Sequence, residues 1–497
     1  MAAGTVLVTG ATGYIGGRLV PRLLAEGYRV RAMTRDAGRL RDVPWVGDVE
    51  VVQADALSAD DVRRAMAGID VAYYLVHSID HGAGFEEADR RAATAFGDAA
   101  REAGVRRIVY LGGLSPQGEE LSPHLRSRRE VGDILLASGV PTAVLQAAVI
   151  LGSGSASFEM LRYLTERLPA MITPRWVRTR IQPIAVRDVL RYLVGCASLP
   201  PDVSRRFDIG GPDVLTYAEM MQRYAAVAGL RRRVIVPVPV LTPSLSAHWV
   251  NVVTPVPSAI AKPLVRSLAH EVVCREHDIA AHVPDPPEGL LGFDESVRLA
   301  LLRVKQAAVE TRWSSATWPG APSDPLPTDP DWAGGSLYED VRSTPVRAEP
   351  ADLWRVVEGI GGEHGWYSFP LAWAARGFLD RLVGGVGLRR GRRDPHTLYV
   401  GESLDFWRVE EVLPGRLLRL RAEMKVPGAA WLEFAVEPAD DGCVLVQRAL
   451  FHPRGLAGHA YWWSVAPFHG VVFDGMLRNL RAAAERDAVS RARLPAP

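Results

Sequence analysis

Apolar and polar positions change their period along this chain. Near the amino end, the unbroken run "TVLVT" over residues 5–9 predicts a strand buried on both faces, and Leu19, Leu23 and Leu24 recur behind it at helical spacing. The pattern repeats. "YRVRAMTRD" predicts a second strand, "VVQADALSADDVRRAM" a third ending at Asp55 with a helix after it, "DVAYYLVHS" a fourth and "RIVYLGG" a fifth. Strands alternating with helices predict a doubly wound parallel sheet, the α/β Rossmann architecture. Prolines, glycines and short polar residues over 314–335 mark a linker, after which the period changes to strict alternation. "LDFWRVEEV", "RLLRLRAEM", "AWLEFAVEP" and "CVLVQRALF" predict successive antiparallel strands, closed by a long amphipathic helix from "YWWSVAPFHG" onward. The expected organisation is therefore a domain over 1–313, whose second half (about 150–310) binds substrate, a linker over 314–335, and an α+β domain over 336–497.

Composition narrows the chemistry. A net charge of +1 in 497 residues argues against a nucleic-acid partner. Cys196, Cys274 and Cys443 have neither disulfide-framework nor metal-ligand spacing, so no metal site is expected and a reducing cytoplasm fits. A strand begins within a few residues of Met1, which leaves no room for a secretory leader. The only lysines are Lys262, Lys305 and Lys425, so no mechanism can use a lysine before residue 262.

Gly10, Gly13 and Gly16 have the spacing that lets a backbone turn tightly, approach a pyrophosphate and bring a helix close to its strand. Gly10, Thr12, Gly13, Tyr14, Ile15 and Gly16 are the expected phosphate cradle. At the end of the second strand Thr34 and Arg35, with Arg39 a turn later, replace the acid that would grip the ribose 2′-hydroxyl of NAD. A guanidinium there suits a 2′-phosphate and predicts NADP(H), the alternative being that Arg35 and Arg39 are solvated charges at a helix start. Asp55, Ala56, Val76 and His77 complete the expected cofactor contacts.

These motifs, with "YYLVHS", "FEEADRRAATAF", "GSGSASFEMLRYL", "QPIAVRDV" and "FDIGGPDVLTY" in order, resemble the atypical, extended-type short-chain dehydrogenase/reductases of the NmrA-like branch. The resemblance implies a Rossmann fold and NADP binding. In that family a Tyr and a Lys stand one helical turn apart; here "SPHLRSRREVGDIL" offers His124 and Arg128 behind an N-cap Ser122 and Pro123. Arg128 could hold a ribose. His124 either donates a proton, with Arg128 disfavouring its charged form, or has a structural, substrate-binding or vestigial role. Gly112 and Gly113 occupy the place of the family's serine, with Ser115 just beyond. Tyr74 and His77, with Tyr73, are further catalytic candidates, core packing being the alternative for the tyrosines.

Ser155, Ser157, Phe158 and Arg162 are candidates to line the substrate cleft, an ordinary loop-to-helix junction being the alternative. The stretch Val234–Ala261 has no formal charge but is broken by prolines, so it reads either as an apolar lid or as an element dipping into a membrane face. The second domain resembles the START/polyketide-cyclase-like (SRPBCC) helix-grip fold. Trp407, Trp431, Trp463 and Phe468 would line its apolar cavity, or fill a core. Arg389, Arg390, Arg392 and Arg393 form either a solvated loop or a site for a diphosphate, an acidic lipid surface or the first domain. The functional expectation is an NADPH-dependent oxidoreductase acting on a bulky apolar molecule such as an isoprenoid, lipid or polyketide-like compound. The alternatives are a non-catalytic NADP(H)-sensing regulator and a membrane-peripheral lipid-binding or assembly factor.

Overall fold

A computed structural model describes residues 3–77, 84–116, 121–238, 253–309, 326, 328–330, 333–361, 366–367, 397–424, 426–439 and 441–492. Residues 239–252 of the uncharged stretch and the arginine run 389–393 lie outside the described residues. The chain divides into two compact units, Met1–Gly335 and Ser336–Pro497.

In unit 1 the apolar runs become β1 (Ala3–Thr9), β2 (Tyr28–Thr34), β3 (Glu50–Gln53), β4 (Val71–Tyr74), β5 (Arg107–Gly113) and β6 (Thr142–Ala147). Together with β11 (Arg205–Ile209) they form one sheet in the order β11-β6-β5-β4-β1-β2-β3, with every pair parallel. Both faces are covered, which is why these strands read as apolar runs rather than alternations. Helices α1 (Tyr14–Ala25) and α6 (Val186–Cys196) pack on one face. The helices α2 (Ala59–Met66), α3 (Phe85–Glu102) and α4 (Pro123–Ala137) pack on the other. The strand expected to reach Asp55 stops at Gln53, because Asp55 is drawn into the next turn, where its carboxylate accepts the Leu57 N–H at 3.0 Å.

The second half of unit 1 gathers around another core built from α5 (Ala156–Arg167), α7 (Tyr217–Val227) and the helices Ser258–Ser267 and Phe293–Val309. Three short strand pairs connect it: β7 (Ile150–Leu151) with β10 (Ile184–Ala185), β9 (Arg180–Ile181) with β12 (Leu215–Thr216), and β8 (Ala170–Pro174) with β13 (Val234–Val238). Among the described residues no helix is long and apolar enough to cross a membrane.

Unit 2 has the expected antiparallel alternation. Its strands β14 (Tyr338–Val346), β15 (Ser403–Leu404), β16 (Trp407–Leu413), β17 (Leu417–Ala422), β18 (Gly428–Ala439) and β19 (Gly442–Pro453) lie in the order β14-β19-β18-β17-β16-β15. Phe473, Met476, Leu477 and Leu480 of the closing helix Gly455–Ala492 share a core with Leu418, Leu432, Phe434 and Leu445 of the sheet. Trp407 joins that core. Trp463 and Phe468, expected inside, are each 67% exposed on the helix, and Trp431 alternates with Leu432 and Phe434 and so points to the opposite face of the sheet.

Candidate functional site

The turn after β1 cannot carry side chains at two of its glycines. Gly10 has φ +67°, and a Cβ there would stand 2.7 Å from the Leu75 carbonyl oxygen; a Cβ on Gly16 would stand 2.2 Å from the Gly10 carbonyl oxygen. The Gly13 N–H donates to the Gly10 carbonyl at 2.9 Å, closing the turn. Gly13 is the N-cap of α1 and no side chain caps that end, so the leading N–H groups of Tyr14, Ile15 and Gly16 face outward at the positive end of the helix dipole. That is the donor set a pyrophosphate requires, and the cradle fits one. Half-buried Thr12 flanks it. The Tyr14 side chain turns the other way: its hydroxyl is buried without a hydrogen bond, its ring lies under the Arg18 guanidinium at 4.3 Å, and a Cβ on Gly152 would sit 2.2 Å from that hydroxyl. Only the backbone of Tyr14 can serve the phosphates.

Beyond β2, Arg35 and Arg39 are exposed and unpaired among the described residues. Thr34 is buried, and its hydroxyl accepts the Asp36 N–H at 3.2 Å. Asp36, the acid nearest the ribose position, caps the following turn by accepting the Gly38 N–H at 2.9 Å. Two guanidiniums are thus free to meet an anion beside the third-strand turn, where Asp55 is further fixed by its N–H bond to Asp61 at 3.1 Å and Ala56 is half-buried.

The reacting end is laced from β1 to β4. The Thr9 hydroxyl donates to the Tyr73 carbonyl at 2.9 Å and accepts the Leu75 N–H at 3.0 Å, which sets Leu75 and Val76 against Gly10 and carries the chain into His77. Opposite stands α4, started as expected: the Ser122 hydroxyl accepts the Leu125 N–H at 3.3 Å and Pro123 fills the first turn. Two further contacts, which sequence reasoning missed, seat this helix. Ser127 donates to buried Asp89 of α3 at 2.7 Å, and the Tyr110 hydroxyl of β5 donates to the Arg128 carbonyl at 3.1 Å.

His77, His124 and Arg128 come together electrostatically. Burial first, then Arg128 and then His77, push the His124 imidazole down to about 3, with Asp89 opposing weakly. His77, an exposed residue, is lowered in the same direction by its surroundings and then by Arg128. Both shifts disfavour the imidazolium form, as a neighbouring guanidinium would, and Arg128 is the permanent cation of the group.

Tyr74 is corrected to the core. It is 1% exposed, its ring meets Phe96 and Tyr110 edge-on at 4.9 and 5.8 Å, and burial raises its hydroxyl pKa. Tyr73 alternates to the other face and donates to the Leu193 carbonyl at 3.1 Å. The proposed substrate residues are also largely structural. Ser155 caps α5, Phe158 is wholly buried, and Arg162 forms a buried pair with Glu159 at 3.1 Å beneath the Gly154 turn; only Ser157 keeps partial exposure. A charged group this deep requires its partner, and Glu159 supplies it.

The last residues of the expected linker also belong here. Asp329 pairs with Arg18 of α1 at 2.7 Å with both side chains buried, Leu326 packs where Gly17 lacks a side chain, and the Gly334 N–H reaches Glu159 at 3.1 Å.

A parallel sheet in this order and a Cβ-free phosphate turn at α1 define a Rossmann dinucleotide-binding domain with a short-chain dehydrogenase/reductase-like fold. The comparisons agree: a family described as NAD(P)H-binding matches residues 10–150, and one described as a protein of unknown function matches residues 332–476. The chain is 30% identical over 285 residues to the ceramide reductase of Caulobacter vibrioides, covering 54% of this chain and 85% of that protein. It therefore belongs to the NAD(P)H-binding family that includes this reductase. It is also 37% identical over 129 residues to sterol demethylase protein B of Methylococcus capsulatus, covering 23% of this chain and 37% of that one. Among solved structures, the Citrobacter sp. triphenylmethane reductase complexed with NADP(H) superposes with a TM-score of 0.49 at 19% identity, over 59% of this chain and 99% of that one.

Proposed function

We propose that this protein is an NADPH-dependent reductase of a carbonyl on a bulky, lipid-like substrate. The observation that carries the reading is the Cβ-free Gly10 turn against Leu75 and Val76 beyond β4, with Arg128 seated beside Gly113 at the end of β5; His77 and His124 both feel the Arg128 charge. Bound NADPH would supply the hydride. Gly10, Gly13 and Gly16 with the α1 N–H groups would hold its pyrophosphate, and Arg35 with Arg39 its 2′-phosphate. Arg128 stabilises negative charge as it develops on the carbonyl oxygen, a role that needs no proton transfer from the guanidinium. Neutral His124 and His77 can each donate one N–H to that oxygen or to a water that delivers its proton. The relatives named for a ceramide and a sterol support an apolar substrate.

Unit 2 we read as a helix-grip module for an apolar ligand. Its strand order, with the first strand beside the last and a long helix over the inner face, supports this.

The test is consumption of reduced nicotinamide by the full-length protein with a panel of lipid ketones that includes a ceramide-class lipid bearing a carbonyl. We expect turnover with NADPH, lowered about a hundredfold or more by Arg128→Met with NADPH affinity retained. NADPH binding without turnover on any member of the panel, or full activity in Arg128→Met, rejects the catalytic reading.

A further inference from the structure

The paired strands β8 and β13 have one face that is apolar and open to solvent. Ile172 is opposite Val236 and Ala170 opposite Val234, so these four side chains share a face; Ile172 is 67%, Val234 58% and Val236 49% exposed. The inner face is conventional, with Met171 and Ile235 packed on the core of the substrate half. Isolated exposed aliphatic residues are ordinary, but a row of four in register on a two-stranded sheet is a contiguous patch that water disfavours.

The chain segments that contain these strands are rich in cations. Residues 167–187 contain five arginines and residues 220–270 contain five arginines and one lysine, with no aspartate or glutamate in either. Arg180, Arg187 and Arg223 pair with carboxylates outside these segments and Arg233 is buried, which leaves, among the described residues, Arg178 after β8 and Arg231 and Arg232 before β13 as the exposed, unpaired cations next to the strands in sequence. In a chain whose overall net charge is +1, these two segments are the ones that supply β8 and β13. Arg178, Arg231, Arg232, Lys262 and Arg266 are exposed, and none is ion-paired to another described residue. Arg231 and Arg232 stand immediately before β13.

We propose that this face docks unit 1 onto an anionic lipid bilayer surface. The aliphatic side chains enter the headgroup boundary and the flanking guanidiniums meet lipid phosphates, the two contributions that hold peripheral proteins on membranes. A nucleic acid fits less well, because binding single strands uses aromatic platforms for base stacking and this face is aliphatic. The proposal does not depend on the reductase reading, since none of these residues belongs to the cofactor turn or to the His77, His124 and Arg128 group.

The experiment is co-sedimentation of the full-length protein with vesicles of phosphatidylcholine alone or mixed with phosphatidylglycerol, at low and high salt. Binding is expected only to the anionic vesicles and should fall as salt screens it. Arg231→Glu with Arg232→Glu should lower the partition coefficient more than tenfold, at roughly fivefold per cation removed. Ile172→Ser with Val236→Ser should lower it about tenfold or more without changing the melting temperature or NADPH affinity. Equal binding to neutral vesicles, no binding to anionic ones, or wild-type binding by the serine pair overturns the proposal. So does a single-stranded RNA that displaces the vesicles and binds the serine pair as well as the parent protein, which would mark a general polyanion site.

Discussion

Ser127 and Asp89 are joined by a 2.7 Å hydrogen bond that ties α4 to α3 one residue before Arg128. Asp89 is a buried acid, 5% exposed, and it accepts the hydrogen bond that holds α4 at Ser127. Ser127→Ala removes a donor to a buried carboxylate, so a loss of roughly 1.5–3 kcal/mol in unfolding free energy is expected by denaturant titration. Turnover should fall with it, while NADPH affinity stays near the parent value, because the phosphate turn lies on other elements.

Acid should loosen this protein through the same group. The His124 pKa is lowered from its ordinary value to about 3, so the unfolded chain binds a proton that the folded one refuses. Between about pH 3 and 6.5 stability therefore rises with pH, and the His124 contribution levels off above the unfolded-state pKa. Melting curves across that window should show a weaker pH dependence in His124→Asn than in the parent. An unchanged slope would mean that His124 is protonated as readily in the fold as out of it.

Cofactor discrimination should reside in Arg35. Its exposed guanidinium is free to meet a 2′-phosphate, and losing a charge-assisted hydrogen bond of this kind costs about 1.5–3 kcal/mol. Arg35→Ala is expected to weaken NADPH roughly ten- to hundredfold in a fluorescence titration and to leave NADH nearly unaffected. Equal losses for both nucleotides would remove the 2′-phosphate role.

The Arg18–Asp329 pair is buried on both sides, at 3% and 10% side-chain exposure. Removing one partner leaves a buried charge uncompensated, which typically costs 3–5 kcal/mol. Asp329→Ala should therefore lower the melting temperature sharply. It should also weaken NADPH, because Arg18 stacks on Tyr14 and donates to the Tyr14 carbonyl at 3.2 Å. Arg18→Met combined with Asp329→Leu should recover much of the stability.

The sheet was legible because each strand is a short apolar run ended by a turn; "RIVYLGG" matches β5 residue for residue. The phosphate turn and the start of α4 were legible for the same local reason: glycine spacing and a Ser-Pro cap act within a few residues. Tyr74 was not, since a strand covered on both faces gives no alternation to tell which neighbour meets the cleft. Arg162 was misread because an arginine after a glycine turn suggests a ligand, although Glu159, three residues earlier, was in view as its partner. Asp89 with Ser127 and Arg18 with Asp329 are 38 and 311 residues apart, and no local period reports such contacts.

That last separation bears on how the molecule is made. A nascent chain emerging from the ribosome exposes Arg18 long before Asp329 is synthesised, so the first helix must wait for almost the whole of its own unit before its deepest cation is neutralised. Any recombinant fragment of the nucleotide-binding half should accordingly end after Gly335, beyond the point where the linker was expected to begin.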